Sequence, residues 1–144
     1  MAAARGLDAV GIDAASTAIA MARAKADRLG LGAQFVVGDA LALAEWGETF
    51  DTVLDSGLFH VFDDTDRVRF VEGLRHTVRS GGTYHLLCFS EHQPGDWGPR
   101  RVAQAEIRAA FAEGWRVDSI EAAEFDMTIG PGRAAAWLAA IARL

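Results

Sequence analysis

The residues with the greatest chemical potential follow a hydrophobic run near the middle of the chain. Residues 50–54 predict a buried strand, and directly after it come Asp55, Ser56, Gly57, Leu58, Phe59 and His60. A strand placed in this way delivers polar and aromatic groups to its carboxyl end, the edge at which open parallel α/β sheets bind ligands. His60 has two interpretations at this edge: a general base, or a packed histidine that is hydrogen-bonded to the backbone.

Two further aspartates occupy the same kind of position. Residues 7–12 predict a short buried strand that ends in Asp13, and residues 33–37 predict a second strand that is followed by Gly38 and Asp39. Three consecutive strands are therefore each predicted to end in an acid. An aspartate after a strand is also a common turn former or helix cap, so each acid has a structural interpretation beside a ligand-binding one.

Helical patterns follow the first and third of these strands. Ser16 is predicted to cap a helix over residues 17–29 that Gly30 terminates. A second helix is predicted from Asp63 to a Ser-Gly-Gly stretch at residues 80–82. The apolar stripe of this second helix is predicted to consist of Val68, Val71, Leu74 and Val78.

The C-terminal part begins with a fourth strand over residues 83–89, which a polar, proline-bearing loop over residues 90–101 follows. Residues 104–113 predict a short helix that buries Ile107 and Phe111. The loop is expected to lie over the carboxyl end of the fourth strand.

The last part of the chain allows two interpretations. Residues 115–123 alternate as a strand, and residues 128–132 read as a turn. Alanine favours a helix over residues 133–144, whereas the preceding strand and glycine turn favour an antiparallel hairpin, which we predict. Strands that alternate with helices predict a Rossmann-like, doubly wound, mostly parallel α/β sheet, with this hairpin at its edge, in a single domain over residues 1–144.

Composition limits the classes of function. The net charge is −6, and the Lys and Arg residues are scattered, so we expect no nucleic-acid partner. No apolar stretch approaches the roughly 20 residues of a membrane span and the N-terminus lacks the layout of a signal peptide, so we expect a cytoplasmic location without membrane contact. The single cysteine, Cys88, lies in an apolar run and is predicted to be a buried, inert thiol. No metal-ligand spacing is present.

Four sequence elements, in order and in register, resemble the motifs of one family. They are VGIDAA from Val10, VVGDA from Val36, FDTVLDSGLFHVF from Phe50 and RSGGTYHLL from Arg79. Together they resemble the class I S-adenosylmethionine-dependent methyltransferases over nearly the whole chain. The nearest branch is the small-molecule one that includes thiopurine- and tellurite-type methyltransferases. This resemblance implies S-adenosylmethionine as the cofactor and methyl transfer to a small-molecule acceptor.

The resemblance implies a cofactor-binding role for each strand end. Asp13 would accept hydrogen bonds from both ribose hydroxyls, which suits a carboxylate because it has two acceptor oxygens and no donor. Asp39 would accept from the adenine amine, with the Ala40 amide on a ring nitrogen. Asp55, with Ser56, Gly57 and Leu58, would lie beside the sulfonium and the methionine portion. The residues expected to sandwich the adenine are Ile12, Ala14 and Leu41.

The candidate acceptor-binding residues follow the third and fourth strands. They are Phe59, Phe62, Phe89, Trp97, Arg100 and Arg101. The aromatic members indicate an apolar or aromatic acceptor, and the two arginines indicate a negative group on it. The structural alternatives are a core or pocket-wall position for Phe59 and Phe62, and a solvated loop that Trp97 holds in place. Methyl transfer needs mainly positioning, so His60 is the only candidate catalytic residue and no metal is required.

One family element is missing before Asp13. The family's cofactor site begins with a strand and a glycine-rich turn about 20 residues upstream, whereas only residues 1–12 precede Asp13 here. We therefore expect the chain to be truncated, to lack the family's central first strand, and to have weak or absent turnover. The gap would be closed by pairing of residues 7–12 with residues 50–54, by a partner chain through strand exchange, or by protein absent from this sequence.

Three functional hypotheses follow. The first is a small-molecule methyltransferase. The second is a non-catalytic remnant of the methyltransferase fold that acts as an assembly or dimerisation module, and a homo-oligomer is expected with it. The third is a nicotinamide-binding domain in which Asp13 would also bind a ribose, but the G-x-G-x-x-G turn that this requires is absent.

Overall fold

The computed structural model describes residues 1–127 and 132–144. The chain divides into two compact units, Met1–Leu43 and Ala44–Leu144, and each is described by itself. No helix in the described part of the chain is long and apolar enough to cross a membrane.

The first unit contains two short parallel strands and one helix. The unit begins with a 3-10 helix (Ala3–Arg5). It continues with β1 (Val10–Asp13), α1 (Ser16–Arg28) and β2 (Gln34–Val37), in that order. In the parallel ladder Val10 lies opposite Gln34, and Asp13 lies opposite Val37. A further 3-10 helix, Ala40–Glu45, follows β2.

The predicted cap of α1 is wrong by one residue. Ser16 is the first residue of the helix, and Ala15 occupies the cap position without a side-chain hydrogen bond of its own. Instead, the Ala15 amide donates to Oδ1 of Asp13 at 2.7 Å. Because this carboxylate reaches forward over two residues, the acid at the end of β1 forms the turn into α1.

The second unit is built on a four-stranded sheet in the order β3-β4-β6-β5. The strands are β3 (Phe50–Ser56), β4 (Val78–Phe89), β5 (Trp115–Asp126) and β6 (Arg133–Arg143). β3 and β4 run parallel, whereas β6 pairs antiparallel with both β4 and β5. Among the described residues, β1 pairs with β2 and β3 pairs with β4.

The terminal segment is a strand, as the preceding strand and glycine turn predicted. β6 is antiparallel to β5, with Phe125 opposite Ala134 and Trp115 opposite Arg143. The predicted turn at residues 128–132 lies outside the described residues except for Gly132, whose carbonyl accepts from the Met127 amide at 2.8 Å. The parallel strand pairs, the helices and the C-terminal antiparallel hairpin confirm the predicted Rossmann-like α/β class.

β3 differs from the predicted buried strand. Leu54 is 70% exposed, whereas Asp55 next to it is only 8% exposed. Successive side chains of a strand point to opposite faces, and here the acid is on the inner face. The prediction treated residues 50–54 as a uniformly apolar run and therefore missed this alternation.

α2, Asp64–Thr77, begins as predicted and buries Val71 and Leu74 of the predicted stripe, but not Val68. Asp63 caps it by accepting from the Asp66 amide at 2.8 Å. Val68, predicted to lie in the apolar stripe, is 71% exposed, while Arg67 is buried. The helix also ends earlier than predicted: β4 starts directly at Val78, so the Ser-Gly-Gly stretch at residues 80–82 belongs to that strand and does not terminate the helix.

The core of the second unit contains a group of packed aromatic rings. α3, Gln104–Ala110, packs beside the sheet with Ile107 buried, as predicted, and Phe111 is buried directly after it. The Phe111 ring lies 5.5 Å from Tyr84 and 5.4 Å from Trp115, measured between ring centroids. This core fixes the carboxyl ends of β3 and β4, where most of the predicted site residues lie.

Candidate functional site

The two acids of the first unit lie at neighbouring strand ends. The Gly38 amide donates to the Asp13 carbonyl at 3.1 Å, which places the start of the segment after β2 beside the end of β1. Asp13 Oδ1 accepts from the Ala15 amide, and Asp39 Oδ1 accepts from the Leu41 amide at 2.9 Å. Both carboxylates are exposed, and within the described residues neither Oδ2 has a hydrogen-bond partner. The structure therefore brings the predicted ribose and adenine acids to one edge of this sheet.

The flanking residues of this edge are those predicted to contact adenine. Ile12 precedes Asp13 in β1, Ala14 follows it, and Ala40 and Leu41 follow Asp39. Ile12 packs so closely over Gly38 that a Cβ at Gly38 would lie 2.8 Å from its Cδ1 atom. A side chain at Gly38 would therefore require the Ile12 side chain to move.

In the second unit, Asp55 organises the turn that follows β3. Its Oδ1 accepts from the Leu58 amide at 2.7 Å. Its Oδ2 accepts from the Phe59 amide at 3.0 Å and from the Tyr84 hydroxyl at 2.7 Å. The predicted role of this side chain beside a sulfonium stays a prediction, because every contact seen here holds the turn itself.

Burial controls the ionisation of this pair. Desolvation raises the pKa of Asp55, and the hydrogen bonds from Tyr84, Leu58 and Phe59 oppose that rise. The pKa of Tyr84 is raised well above its ordinary value, first by burial and then by the neighbouring Asp55 charge. Tyr84 was not singled out from the sequence, since only the parallel register of β3 and β4 places it against Asp55.

Gly57 lets the turn close onto β4. Its φ of 89° lies in the left-handed region that favours glycine. Its amide donates to the Leu87 carbonyl at 2.9 Å and so extends the ladder between β3 and β4 by one bond. The predicted segment Ser56, Gly57 and Leu58 is thereby held at the carboxyl end of the sheet.

His60 continues the same ladder with its side chain. The Phe89 amide donates to His60 Nδ1 at 2.9 Å, and the ring is buried. Burial lowers the pKa of His60 to about 4; a hydrogen bond with the Gly57 backbone opposes this, and the Arg101 charge adds to it. Because Nδ1 is an acceptor, the proton resides on Nε2. This geometry supports the packed, backbone-bonded interpretation over a general base.

An aromatic cluster covers this end of the sheet. Phe89 is buried, and its ring centroid lies 5.1 Å from His60 and 5.8 Å from Trp97. A fourth ring, Phe125 of β5, lies 5.4 Å from Phe89 and 5.9 Å from His60. We define the aromatic cluster as His60, Phe89, Trp97 and Phe125. Phe125 lies beyond residue 123, where the predicted strand ends, and the alternation that continues to Asp126 is the signal that could have found it.

Arg101 holds the loop over residues 90–101 together from within. Its guanidinium donates to the carbonyls of Trp97 and Pro99, both at 2.7 Å, and of Gly95 at 2.9 Å. It makes longer bonds to the carbonyls of Gln93 and Pro94 and lies 5.5 Å from the Phe89 ring centroid. Arg101 is therefore a hub of the loop, and the structure does not present it as a free cation for a substrate.

Arg100 points to a different group of residues. It bonds Asp64 Oδ1 at 2.7 Å and also pairs with Glu106. The same Glu106 carboxylate accepts from Arg67 at 3.3 Å and, through Oε2, from the Ala103 amide at 2.8 Å. These ion pairs tie the loop to α2 and α3, and they leave Arg100 engaged by two carboxylates.

The remaining predicted residues lie in packed positions. Phe59 is fully buried, with its ring 6.0 Å from Phe111 and the Arg67 guanidinium carbon 4.5 Å from its centroid. Phe62 packs on Phe70 at 5.0 Å, outside the aromatic cluster. Cys88 is a free, buried thiol whose pKa burial raises to about 12. The described residues contain no group of three or more side chains suited to hold a metal ion.

The parallel strand pairs, the helices and the C-terminal hairpin define the Rossmann-like α/β class of fold. A family model described as "Methyltransferase domain" matches residues 1–82. A curated 2-heptyl-1-hydroxyquinolin-4(1H)-one methyltransferase of Mycobacteroides abscessus is 34% identical over 122 residues, or 83% of this chain and 54% of that protein.

Solved structures of other proteins are also similar to this chain. A chain from a study of the conversion of a disulfide bond into a thioacetal group during echinomycin biosynthesis has a TM-score of 0.85 and 34% identity, covering 98% of this chain and 68% of that chain. A SAM-dependent methyltransferase of Methanosarcina mazei has a TM-score of 0.84 over 99% of this chain and 84% of that chain, and its 18% identity shows a shared fold alone.

The chain belongs to the methyltransferase-domain family. It spans about half the length of the curated relatives that it matches, 54% of the quinolone methyltransferase and 59% of an uncharacterized methyltransferase of Schizosaccharomyces pombe.

Proposed function

We propose that the chain carries out S-adenosylmethionine-dependent methyl transfer to a small-molecule acceptor. The observation that carries this proposal is the pair of exposed carboxylates, Asp13 and Asp39, at adjacent strand ends of a chain that belongs to the methyltransferase-domain family. Each uses one oxygen for its own turn and keeps Oδ2 without a partner within the described residues. An acceptor-only group with an unused oxygen suits ribose hydroxyls or an adenine amine.

Within that proposal, each unit has its own task. In the first unit, Asp13 holds the ribose, Asp39 with the Ala40 amide holds the adenine edge, and Ile12, Ala14 and Leu41 contact the adenine faces. In the second unit, the segment Ser56, Gly57 and Leu58 lies beside the methionine portion. The bound cofactor supplies an activated methyl group, and the residues of this chain bind it and orient the acceptor.

Asp55 has an indirect role in this proposal. Its carboxylate is committed to the Leu58 and Phe59 amides and to Tyr84. It is therefore a positioning residue, because it fixes the turn whose backbone faces the ligand. His60 acts in the same way, since Phe89 occupies its acceptor nitrogen.

The acceptor is proposed to be apolar, planar and without a formal negative charge. Trp97 is 37% exposed, and Leu58 and Val61 of the turn after β3 are also exposed, so the surface near the turn is apolar. Arg100 and Arg101 are engaged by carboxylates and by backbone carbonyls, which argues against the negative group that they suggested in the sequence. The quinolone named for the relative is a compound of this aromatic kind.

Methyl transfer can be tested directly with radiolabelled S-adenosylmethionine. The chain would be incubated with the labelled cofactor and a panel of hydroxylated quinolones, phenols and aliphatic thiols. For residues 1–144 alone we propose slow turnover, below about 1 s⁻¹, with label found only in aromatic acceptors. An absence of label in every acceptor, together with no cofactor binding by the folded protein, would reject the proposal.

A second candidate function is an assembly module, and the exposure of apolar strand residues favours it. Leu54 of β3 is 70% exposed and Val37 of β2 is 49% exposed. Both strands are edge strands of their ladders, and an edge strand with exposed apolar side chains favours pairing with a second copy through its free N–H and C=O groups. Light scattering coupled to size-exclusion chromatography would give a dimer or larger species if this is correct, and a monomer of 15.4 kDa would contradict it.

A further inference from the structure

Phe125 lies in β5, on the opposite face of the strand from its neighbours Glu124 and Asp126. Glu124 and Asp126 on either side are exposed and both pair with Arg133. Phe125 itself is half-buried, because successive side chains of a strand point to opposite faces. The ring therefore leaves the charged face of the hairpin and packs against the aromatic cluster.

The ring of Phe125 joins two features of the proposed site. Its centroid lies 5.4 Å from Phe89 and 5.9 Å from His60. Its Cζ atom would be 3.7 Å from a Cβ placed at Gly57, the residue at the centre of the turn proposed to face the methionine portion. Phe125 thus bridges that turn and the aromatic surface on which we place the acceptor.

The other rings of the cluster differ from Phe125 in what they can offer to a ligand. Phe89 and His60 are buried, and their faces are already covered by protein. Trp97 is exposed but belongs to the loop that Arg101 holds, and its ring is 5.8 Å from Phe89. Phe125 is the member that is both partly accessible and placed against the turn.

We propose that Phe125 is a specificity-determining residue that contacts the ring of a planar aromatic acceptor beside the Gly57 turn. This inference rests on the proposed function and deepens it by naming the residue that selects for aromaticity. Aromatic rings attract one another in offset or edge-to-face geometry beyond the area that they bury. A saturated ring of equal size gains only the burial, so Phe125 would discriminate between the two.

The test compares 1-naphthol with its saturated counterpart decahydro-1-naphthol by calorimetric titration, with and without S-adenosylhomocysteine, the demethylated cofactor. Phe125→Leu is expected to weaken 1-naphthol binding by roughly tenfold while leaving decahydro-1-naphthol and S-adenosylhomocysteine unchanged. Phe125→Trp should retain the preference for 1-naphthol. Phe50→Leu is the matched control, because Phe50 is also a half-buried ring but packs on Trp46 at the amino end of β3, outside the cluster.

The outcomes separate this inference from the proposed function. If the protein binds S-adenosylhomocysteine but 1-naphthol binding is absent or unaffected by Phe125→Leu, the inference is overturned and the cofactor proposal stands. If 1-naphthol binding depends on Phe125 but S-adenosylhomocysteine does not bind, the acceptor surface is supported and the methyltransferase proposal fails. Should Phe125→Leu not fold, nuclear magnetic resonance of the unmodified protein decides, because 1-naphthol must shift the Phe125 ring signals and leave those of Phe50 in place.

Discussion

The Tyr84 hydroxyl donates a 2.7 Å hydrogen bond to Oδ2 of Asp55 in the core of the second unit. This contact joins β4 to β3 through side chains, and the same carboxylate holds the two amides of the turn after β3. A buried carboxylate that receives three hydrogen bonds therefore fixes the segment on which the proposed methyl-transfer geometry depends.

Replacing this carboxylate by an amide should destabilise the fold. Asp55→Asn places an N–H donor where one oxygen accepted hydrogen bonds, and we expect a loss of about 2 kcal/mol in the free energy of unfolding. Urea unfolding measures this change in the free energy of unfolding. Asp51→Asn on the same strand is the matched control, because Asp51 pairs with Arg79 at an exposed site and should lose less than about 1 kcal/mol. Equal losses for the two variants would contradict the role given to Asp55.

His60 should make stability depend on pH. Its pKa is lowered from 6.5 to about 4 in the folded protein, so the unfolded chain binds this proton more readily between those values. The resulting stabilisation is present above pH 6.5 and is lost as the pH falls towards about 4, by up to about 3 kcal/mol.

His60→Asn tests this dependence. Asparagine keeps an acceptor near the Nδ1 position for the Phe89 amide but does not titrate, so its stability should fall less between pH 6.5 and pH 4. The raised pKa of Asp55 acts in the opposite sense, and it cancels in the comparison because both proteins contain it. An unchanged slope in His60→Asn would refute the assignment.

Gly57 should be intolerant of a side chain for two reasons. Its φ is 89°, and a Cβ there would lie 3.3 Å from His60 Nε2. Gly81→Ala is the matched control, since Gly81 has a φ of 80° but no atom within 4 Å of an added Cβ. Both variants should lose about 1 kcal/mol from backbone strain, and Gly57→Ala should lose more in thermal unfolding. The explanation is wrong if Gly81→Ala is the more damaging of the two.

Arg101 should control opening of the loop over residues 90–101. The substitution Arg101→Lys keeps the positive charge, but a lysine lacks the planar guanidinium that donates to several carbonyls at once. We expect roughly tenfold faster hydrogen exchange at the loop amides without a large change in the β4 and β6 amides. Arg108→Lys, at an exposed position of α3, is the control and should leave hydrogen exchange of the loop amides unaltered. Similar exchange rates in the two variants would contradict the role of Arg101 in holding the loop.

Periodicity predicted the elements of the fold well because each obeyed a local rule. The hairpin was predicted from the strand and glycine turn before residues 133–144. The start of α2 was predicted from Asp63, which does cap it. These signals lie within a few residues of one another, so the sequence alone contains them.

The errors arose where distant residues decide the outcome. Val68 was placed in the buried stripe, but Arg67 occupies the inner face because Phe59 and Glu106 receive its guanidinium. Leu54 was predicted to be buried, and Asp55 is buried in its place because Tyr84 supplies a donor. Such exchanges of polar for apolar residues follow from partners far along the chain.

The positions of the two strand-end acids could be predicted from the sequence, whereas the packing of the other candidate residues could not. Asp13 and Asp39 lie at one edge of a sheet, as their position after two strands indicated. Arg101 could not be read as a loop hub, because its acceptors are backbone carbonyls that no residue type reveals. Phe125 was missed because the predicted strand ended at residue 123, three residues before the observed end at Asp126.

The central claim is that Asp13 binds the cofactor, and calorimetric titration of the purified chain with S-adenosylhomocysteine tests it most directly. Asp13→Asn keeps an oxygen for the Ala15 amide while removing the charge and one acceptor, and Asp8→Asn is the exposed control on the preceding segment. We predict micromolar binding by the unmodified chain and by Asp8→Asn, weakened at least roughly tenfold in a folded Asp13→Asn. Equal affinity of Asp13→Asn, or no binding by the folded unmodified chain, would contradict the account.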